Sequence, residues 1–159
     1  RRAGIECYTF SFKKEYVKGM HNMYVKADYV FNEAVKEYDM LILPGGRPGG
    51  ANLKANPEVI SMVQYFNENN KYLAAMCSGT VVLSKARVID GKKVTGYTGY
   101  AEKLVGGQFV DDVVAFDQNI ITSQGPATTY PFAFKIIEVF GKDTSLMKER
   151  LMYNFAGGK

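Results

Sequence analysis

The chain has few of the residues that build metal centres, disulfide frameworks and histidine-based catalytic sites. Its 159 residues include two cysteines, one histidine and no tryptophan. Two cysteines cannot form the disulfide framework of a small secreted domain. The single histidine, His21, has no ligand-spaced partners, which argues against a zinc site. We therefore expect no metal and no bound cofactor.

Long apolar runs and a strong charge of one sign are also missing. No stretch approaches the ~20 apolar residues of a membrane span. Twenty basic and sixteen acidic residues leave a net charge of +4, and the lysines are scattered along the sequence rather than gathered in a stripe. We expect neither a membrane nor a nucleic acid as partner. The low cysteine content and the lack of a visible signal peptide predict a reducing, cytoplasmic location.

One abrupt change of pattern surrounds the second cysteine. An apolar run ends at Met76, Cys77 follows, and a helical run covers 79–86. A nucleophile at such a strand-to-helix turn is typical of a nucleophile elbow. The unpaired N–H groups and the positive dipole end of a helix start stabilise an anion, here a thiolate. The alternative is an unreactive cysteine packed in the core.

Apolar strand patterns alternate with helical patterns along the chain. Strands are predicted over 5–10 (with Cys7 in the core), 39–43 (covered on both faces), 72–76, 93–95, 113–116 and 120–123, with a minor strand over 23–26. Helices are predicted over 31–38, 58–69, 80–87, 101–105, from Thr128 or Thr129 to Gly141, and over 143–153, with Leu146, Met147, Leu151 and Met152 of the last directed inward. This alternation predicts an α/β sandwich with a mostly parallel sheet in one domain.

Three stretches of small residues follow predicted strands. They are Gly45-Gly46, Cys77-Ser78-Gly79 and Gln124-Gly125-Pro126. Sites in parallel sheets form outside the carboxyl ends of the strands, so these stretches predict one shared site.

Within this site we predict Cys77 as the nucleophile and the backbone N–H groups of Gly46 and Ser78 as oxyanion donors. The predicted pocket residues are Gly45, Tyr97, Gln124, Gly125 and Pro126. The glycine loop on its own also fits a simple chain reversal, and it lacks the spacing of a phosphate loop. No acidic residue is placed beside Cys77, and Glu102, Asp111 and Asp112 are interpreted as solvated charges.

These stretches resemble motifs of the ThiJ/PfpI superfamily, closest to the branch of the parkinsonism-associated deglycase (DJ-one). The resemblance rests on 39–53, on Ala75-Met76-Cys77-Ser78-Gly79 and on 122–128. It implies a flavodoxin-like three-layer sandwich similar to class I glutamine amidotransferases, and a homodimer. It also implies a cysteine that is easily oxidised to sulfinic acid, and glyoxalase or deglycase activity on small carbonyl substrates.

Several positions depart from the pattern of the family. The family's pocket histidine falls on Tyr97, and its arginine before Gly-Pro falls on Gln124. The histidine of the protease branch falls on Ser78, so protease activity is not expected. An amidotransferase needs a histidine after Cys77, and none follows.

The family's glutamate that bonds the cysteine would precede Arg1, because 1–5 matches the end of the family's first helix. We therefore expect a domain over 1–159 that lacks its first strand and most of its first helix. Two functions stay open: an enzyme acting on 2-oxoaldehydes or their adducts, and a redox-sensing or chaperone-like protein.

Overall fold

The computed structural model describes residues 1–12 and 15–157. Its strands are β1 (Phe10–Ser11), β2 (Tyr16–Lys18), β3 (Tyr24–Lys26), β4 (Tyr29–Val30), β5 (Met40–Leu43), β6 (Tyr72–Met76), β7 (Lys93–Val94), β8 (Gln108–Phe109), β9 (Val114–Asp117) and β10 (Ile120–Ser123). Its α-helices are α1 (Gly49–Ala55), α2 (Pro57–Glu68), α3 (Thr80–Lys85), α4 (Thr129–Val139) and α5 (Ser145–Arg150). Short 3₁₀ helices cover Glu33–Glu37, Cys77–Gly79, Ala101–Lys103 and Pro126–Thr128.

A four-stranded sheet in the order β5-β6-β10-β9 forms the centre of the fold. Strands β5, β6 and β10 are parallel, and β9 runs antiparallel to β10 as the second arm of a hairpin. Leu43 lies opposite Ala75, and Ser123 lies opposite Met76. The three parallel strands therefore end along one edge of the sheet. The predicted α/β sandwich, its mostly parallel sheet and the 113–123 hairpin are confirmed.

Helix α2 covers one face of this sheet, and local sequence signals explain where it begins. The Asn56 side chain accepts a hydrogen bond from the Glu58 N–H at 2.9 Å, and Pro57 takes the first helical position. Both features favour a helix start. Its buried residues are Val59, Met62, Val63 and Phe66. The helix predicted over 58–69 is thus confirmed.

The prediction for residues 5–10 is largely wrong. Only Phe10 and Ser11 form a strand there, and it pairs with β4 in a separate two-stranded parallel sheet. Cys7 is exposed rather than in the core. Its carbonyl accepts a hydrogen bond from Arg1 Nε at 2.6 Å, so a side chain takes the place of a neighbouring strand.

Strand β5 is covered fully on one face and partly on the other. Leu43 is buried, whereas Ile42, which points to the opposite face, is 40% exposed. Met40 shares the face of Ile42, is partly buried and packs against the cluster that contains Phe132 of α4. The expectation of cover on both faces is therefore confirmed for the start of β5 and is wrong at Ile42, because α4 packs chiefly against β10 and β9.

The last helix is shorter than predicted, and two of its four expected inward residues are exposed. Leu146 and Met152 are 55% and 57% exposed, while Met147 and Leu151 are partly buried. The helix ends at Arg150 and Met152 has a φ of +56°, which breaks the helical spacing. By contrast, α4 ends as predicted, because Gly141 adopts a φ of +72° just beyond it.

The remaining predictions are matched by short elements. The minor strand at 23–26 is β3, which pairs with β2 in an antiparallel hairpin. The helical patterns at 31–38 and 101–105 are single 3₁₀ turns. In the part of the chain that the structure describes, no helix combines the length and apolar character that a membrane crossing needs.

Asp28 joins the segment before β1 to the start of β4. Its carboxylate accepts hydrogen bonds from the N–H and hydroxyl of Thr9 at 2.8 and 2.9 Å, and it also pairs with the Arg1 guanidinium. The Thr9 backbone bond, the Thr9 hydroxyl bond and the Arg1 charge together lower the pKa of Asp28. Because the pKa of Asp28 is lower in the folded protein than in the unfolded chain, its ionised carboxylate stabilises the fold at any pH above the unfolded-state pKa. This stabilisation is lost as the pH falls through the folded-state pKa.

We predict that Asp28→Asn destabilises the protein at pH 7 and that its difference from wild type shrinks below a pH of about 4, the ordinary aspartate pKa. Urea unfolding at pH 7 and in the acid range measures the difference. Asp112→Asn, at an exposed position, is the control. It should not change the free energy of unfolding appreciably, either at pH 7 or in the acid range. A difference for Asp28→Asn that is independent of pH would contradict the assignment.

Candidate active site

Cys77 lies at the turn between β6 and α3 in a strained backbone conformation. Its φ is +56°, a left-handed value that side chains with a Cβ seldom adopt. The Thr80 hydroxyl donates a hydrogen bond to the Cys77 carbonyl at 2.7 Å, which closes the first turn after the strand. The Cys77 side chain is partly exposed. The geometry is that of a nucleophile elbow with a thiol that solvent can reach.

The elbow packs against the loop of Gly45 and Gly46 after β5. The two backbones are so close that no side chain fits between them. A Cβ on Gly45 would lie 2.6 Å from the Cys77 Cβ and 3.1 Å from the Ser78 nitrogen. A Cβ on Gly79 would lie 2.9 Å from the Pro44 carbonyl oxygen. These glycines are therefore required by backbone contact, and not only by the reversal of the chain.

Ser78 ties the elbow to the same loop by a hydrogen bond. Its hydroxyl donates to the Gly46 carbonyl at 3.2 Å, and the N–H of Gly50 donates to the same oxygen at 2.9 Å. A Cβ on Gly50 would lie 2.8 Å from the Ser78 Cβ, so this glycine is also part of the contact. The predicted oxyanion donors, Gly46 and Ser78, thus belong to two loops that are fixed to each other.

The third predicted stretch follows β10 beside the elbow. Ser123 is paired with Met76, so Gln124 leaves the sheet next to Cys77. The Thr129 hydroxyl, at the start of α4, lies 3.8 Å from the Met76 sulfur. The fold therefore brings all three stretches of small residues to one edge of the sheet.

The predicted pocket residues around this edge differ in their surroundings. Gly125 is buried, and a Cβ there would lie 3.5 Å from the Tyr97 ring. Tyr97 is 40% exposed and packs edge-on against Tyr100 at 5.5 Å between ring centroids. Pro126 is exposed at the start of a 3₁₀ helix.

Gln124 is held by an acidic residue. Its amide donates to the Asp111 carboxylate at 3.1 Å. Asp111 is exposed, as expected of a solvated charge, and its carboxylate in addition holds the side chain of a predicted pocket residue. Sequence reasoning could not find the pair, because no pattern links positions in two separate loops.

Acid and base groups are scarce around the thiol. Within residues 1–12 and 15–157, no carboxylate or imidazole forms a hydrogen bond with Cys77. His21 is exposed in the turn that joins β2 and β3. The same residues contain no group of three histidine, cysteine or acidic side chains that could hold a metal ion.

Two contributors to the site were missed from the sequence. Thr80 holds the Cys77 carbonyl, and Gly50 allows α1 to approach Ser78. A threonine hydroxyl commonly bonds the carbonyl three residues earlier, so the position of Thr80 after Cys77 was a recognisable signal. Gly50 carried no such signal, because several glycines in this loop look alike in the sequence.

We predict that Gly45→Ala lowers the free energy of unfolding by about 1–3 kcal/mol, since the new methyl group must displace Cys77 or the backbone beside it. The same methyl group should slow alkylation of Cys77. Urea unfolding and the rate of iodoacetamide labelling measure the two effects.

Gly49→Ala is the matched control, because a Cβ at Gly49 meets nothing within 4 Å. It should leave stability within about 0.5 kcal/mol and the labelling rate unchanged. Equal behaviour of the two variants would show that the loop does not pack tightly against the elbow.

Comparisons with known proteins agree with this geometry. The sequence model of the DJ-1/PfpI family matches residues 1–139. The chain is 30% identical to the Deglycase PH1704 of Pyrococcus horikoshii over 142 residues, 87% of this chain and 85% of that protein. It is 34% identical to the Glutathione-independent glyoxalase DJ-1 of Schizosaccharomyces pombe over 116 residues, 70% of this chain and 60% of that protein.

One relative extends well beyond the region that this chain matches. A crystal structure of another family member has the same fold as this chain. The chain spans 38% of Protein DJ-1 homolog A of Arabidopsis thaliana, with 33% identity over 90% of its own length. The crystal structure of Drosophila melanogaster DJ-1beta superposes with a TM-score of 0.88 at 30% identity, covering 95% of this chain and 84% of that one. The flavodoxin-like sandwich is therefore confirmed, and the chain belongs to the DJ-1/PfpI family.

Proposed function

We propose that the protein is a cysteine-dependent enzyme that acts on small 2-oxoaldehydes or their adducts, with Cys77 as the nucleophile. The observation that carries the proposal is the elbow itself. A partly exposed thiol stands in a left-handed backbone conformation at the carboxyl edge of a parallel sheet. Backbone strain of this kind costs on the order of 1–3 kcal/mol and is typical of functional sites.

In the proposed reaction the Cys77 thiolate attacks the aldehyde carbon. A carbon–sulfur bond forms, and the electron pair of the carbonyl double bond moves to oxygen, giving a hemithioacetal alkoxide. The N–H groups of Gly46 and Ser78 stabilise this negative charge. The alkoxide takes up a proton. A base then removes the proton from the former aldehyde carbon, and a proton is returned to the neighbouring keto carbon, which leaves the hydroxy acid joined to Cys77 as a thioester. Water adds to the thioester carbon, the carbon–sulfur bond breaks, and the hydroxy acid and the thiol are released.

The names of two relatives support this class of reaction. One is a deglycase and another is a glutathione-independent glyoxalase. Both names describe chemistry on small carbonyl compounds or their adducts.

One observation favours a second candidate, a redox-sensing protein whose Cys77 is oxidised to sulfinic acid. Among the described residues, none with a carboxylate or imidazole hydrogen-bonds the thiol, and Tyr97 and Gln124 stand where the family has basic residues. The proton transfer of the enzymatic reaction depends on such a group. Oxidation of a thiolate by peroxide does not depend on an acid or base group beside the thiol.

We also propose a homodimer located in the cytoplasm. The exposed hairpin of β2 and β3 supports an interface, because Val17 and Val25, which lie opposite each other across the hairpin, are 49% and 61% exposed. Apolar side chains grouped in this way are typical of surfaces that another chain covers.

We predict that wild type converts methylglyoxal to lactate and that Cys77→Ser loses this turnover, because a hydroxyl in place of the thiol is a far weaker nucleophile at neutral pH. Lactate formation, followed by a coupled assay, measures the rate. Cys7→Ser is the matched control, since Cys7 is the other cysteine and is exposed outside the elbow. It should retain the wild-type rate.

Equal turnover in wild type and Cys77→Ser would exclude cysteine catalysis. If neither protein shows turnover, peroxide treatment followed by mass spectrometry decides for the second candidate. Addition of two oxygen atoms to Cys77 and none to Cys7 would support redox sensing.

A further inference from the structure

A concave basic surface lies at the carboxyl ends of α1 and α3. We call it the basic pocket; its volume is about 270 Å³, and it is lined by Lys54, Val81, Ser84, Lys85, Arg87, Lys103 and Val105. Four of these residues are cations and none is an acid. The fold therefore brings three of the scattered lysines together with Arg87.

Helix packing brings the cations together. Lys54 lies in the last turn of α1, and Lys85 lies at the end of α3, which packs against α1. The helix dipole favours a cation at the carboxyl end of a helix, and this effect explains Lys54 and Lys85, each at the end of its own helix. Lys103 has no such reason, since it comes from the 3₁₀ turn of a separate loop.

The four cations are not neutralised by the protein. Among the described residues, none of the four takes part in an ion pair. Lys103 instead lies over the Tyr100 ring, 4.1 Å from its centroid. Like charges gathered without a counter-charge repel one another, so an anion that binds among them relieves an existing repulsion.

Arg87 occupies a position where glycine would be more stable. Its φ is +57°, and its N–H donates to the Ser84 carbonyl at 3.0 Å as the second residue beyond α3. Helices commonly end with a glycine in this left-handed conformation. The arginine adds a charge to the pocket without improving the helix end.

We infer that the basic pocket binds a small soluble ligand through a phosphate group. The volume is slightly below the range of about 300–1,000 Å³ for drug-sized ligands, which suits a phosphate or pyrophosphate group rather than a large ligand. The Ser84 hydroxyl donates to the Val105 carbonyl at 3.2 Å and lines the pocket among the cations. By rotating away from that carbonyl, it can donate its one proton to a phosphate oxygen instead. Neither Cys77 nor any other residue predicted for the thiol site lines the basic pocket, so the inference does not depend on the proposed thiol chemistry.

Isothermal titration with pyrophosphate at constant ionic strength tests the inference. Wild type should bind one equivalent saturably. The double variant Lys54→Gln/Lys103→Gln should weaken binding by at least about tenfold, because charge-assisted hydrogen bonds contribute strongly to anion binding. Arg87→Gly should weaken binding as well, yet its melting temperature should equal or exceed that of wild type, because glycine relieves the backbone strain.

Lys18→Gln/Lys93→Gln is the matched control, since it removes the same charge from exposed positions outside the pocket. It should bind pyrophosphate within about twofold of wild type, as expected for distant surface charges. Equal losses in the two double variants would overturn the inference in favour of a general charge effect. Absence of saturable pyrophosphate binding, with or without binding of a short DNA duplex, would overturn it too.

Discussion

The close approach of two backbones organises the functional part of this protein. Gly45 and Gly79 let the loop after β5 touch the turn after β6, where even a methyl group would collide with Cys77 or with a carbonyl. The Ser78 hydroxyl then fastens the same loops through the Gly46 carbonyl. The strained backbone of Cys77 persists because its surroundings are fixed in this way. The position of the thiol is thus determined by backbone contact at the glycines and by two short hydroxyl side chains, Ser78 and Thr80.

The sequence predicted the central sheet well and the outer parts poorly. The apolar runs of β5, β6 and β10 are unambiguous, and a parallel sheet brings their carboxyl ends together. This reasoning was enough to place Cys77 beside the two other small-residue stretches. The run at 5–10 looked equally apolar, but no local pattern tells a strand which sheet it will join. Cys7 was misplaced for that reason.

Contacts between distant loops lie beyond such reasoning. The Gln124–Asp111 hydrogen bond and the convergence of Lys54 with Lys103 depend on how helices and loops pack, and the order of residues does not reveal it. Glycines are similar in this respect. Gly49 and Gly50 are neighbours in the sequence, yet only Gly50 touches the elbow, so their different roles become visible only in three dimensions.

The small sheet of β1 and β4 has a consequence for local unfolding of the protein. It shares no strand with the central sheet, and side chains such as Asp28 and Arg1 tie its neighbouring segments together. Segments held by few ladder hydrogen bonds open at lower free energy than a central sheet. Amide hydrogens before β5 should therefore exchange with solvent through local openings that leave the strands beneath the thiol closed.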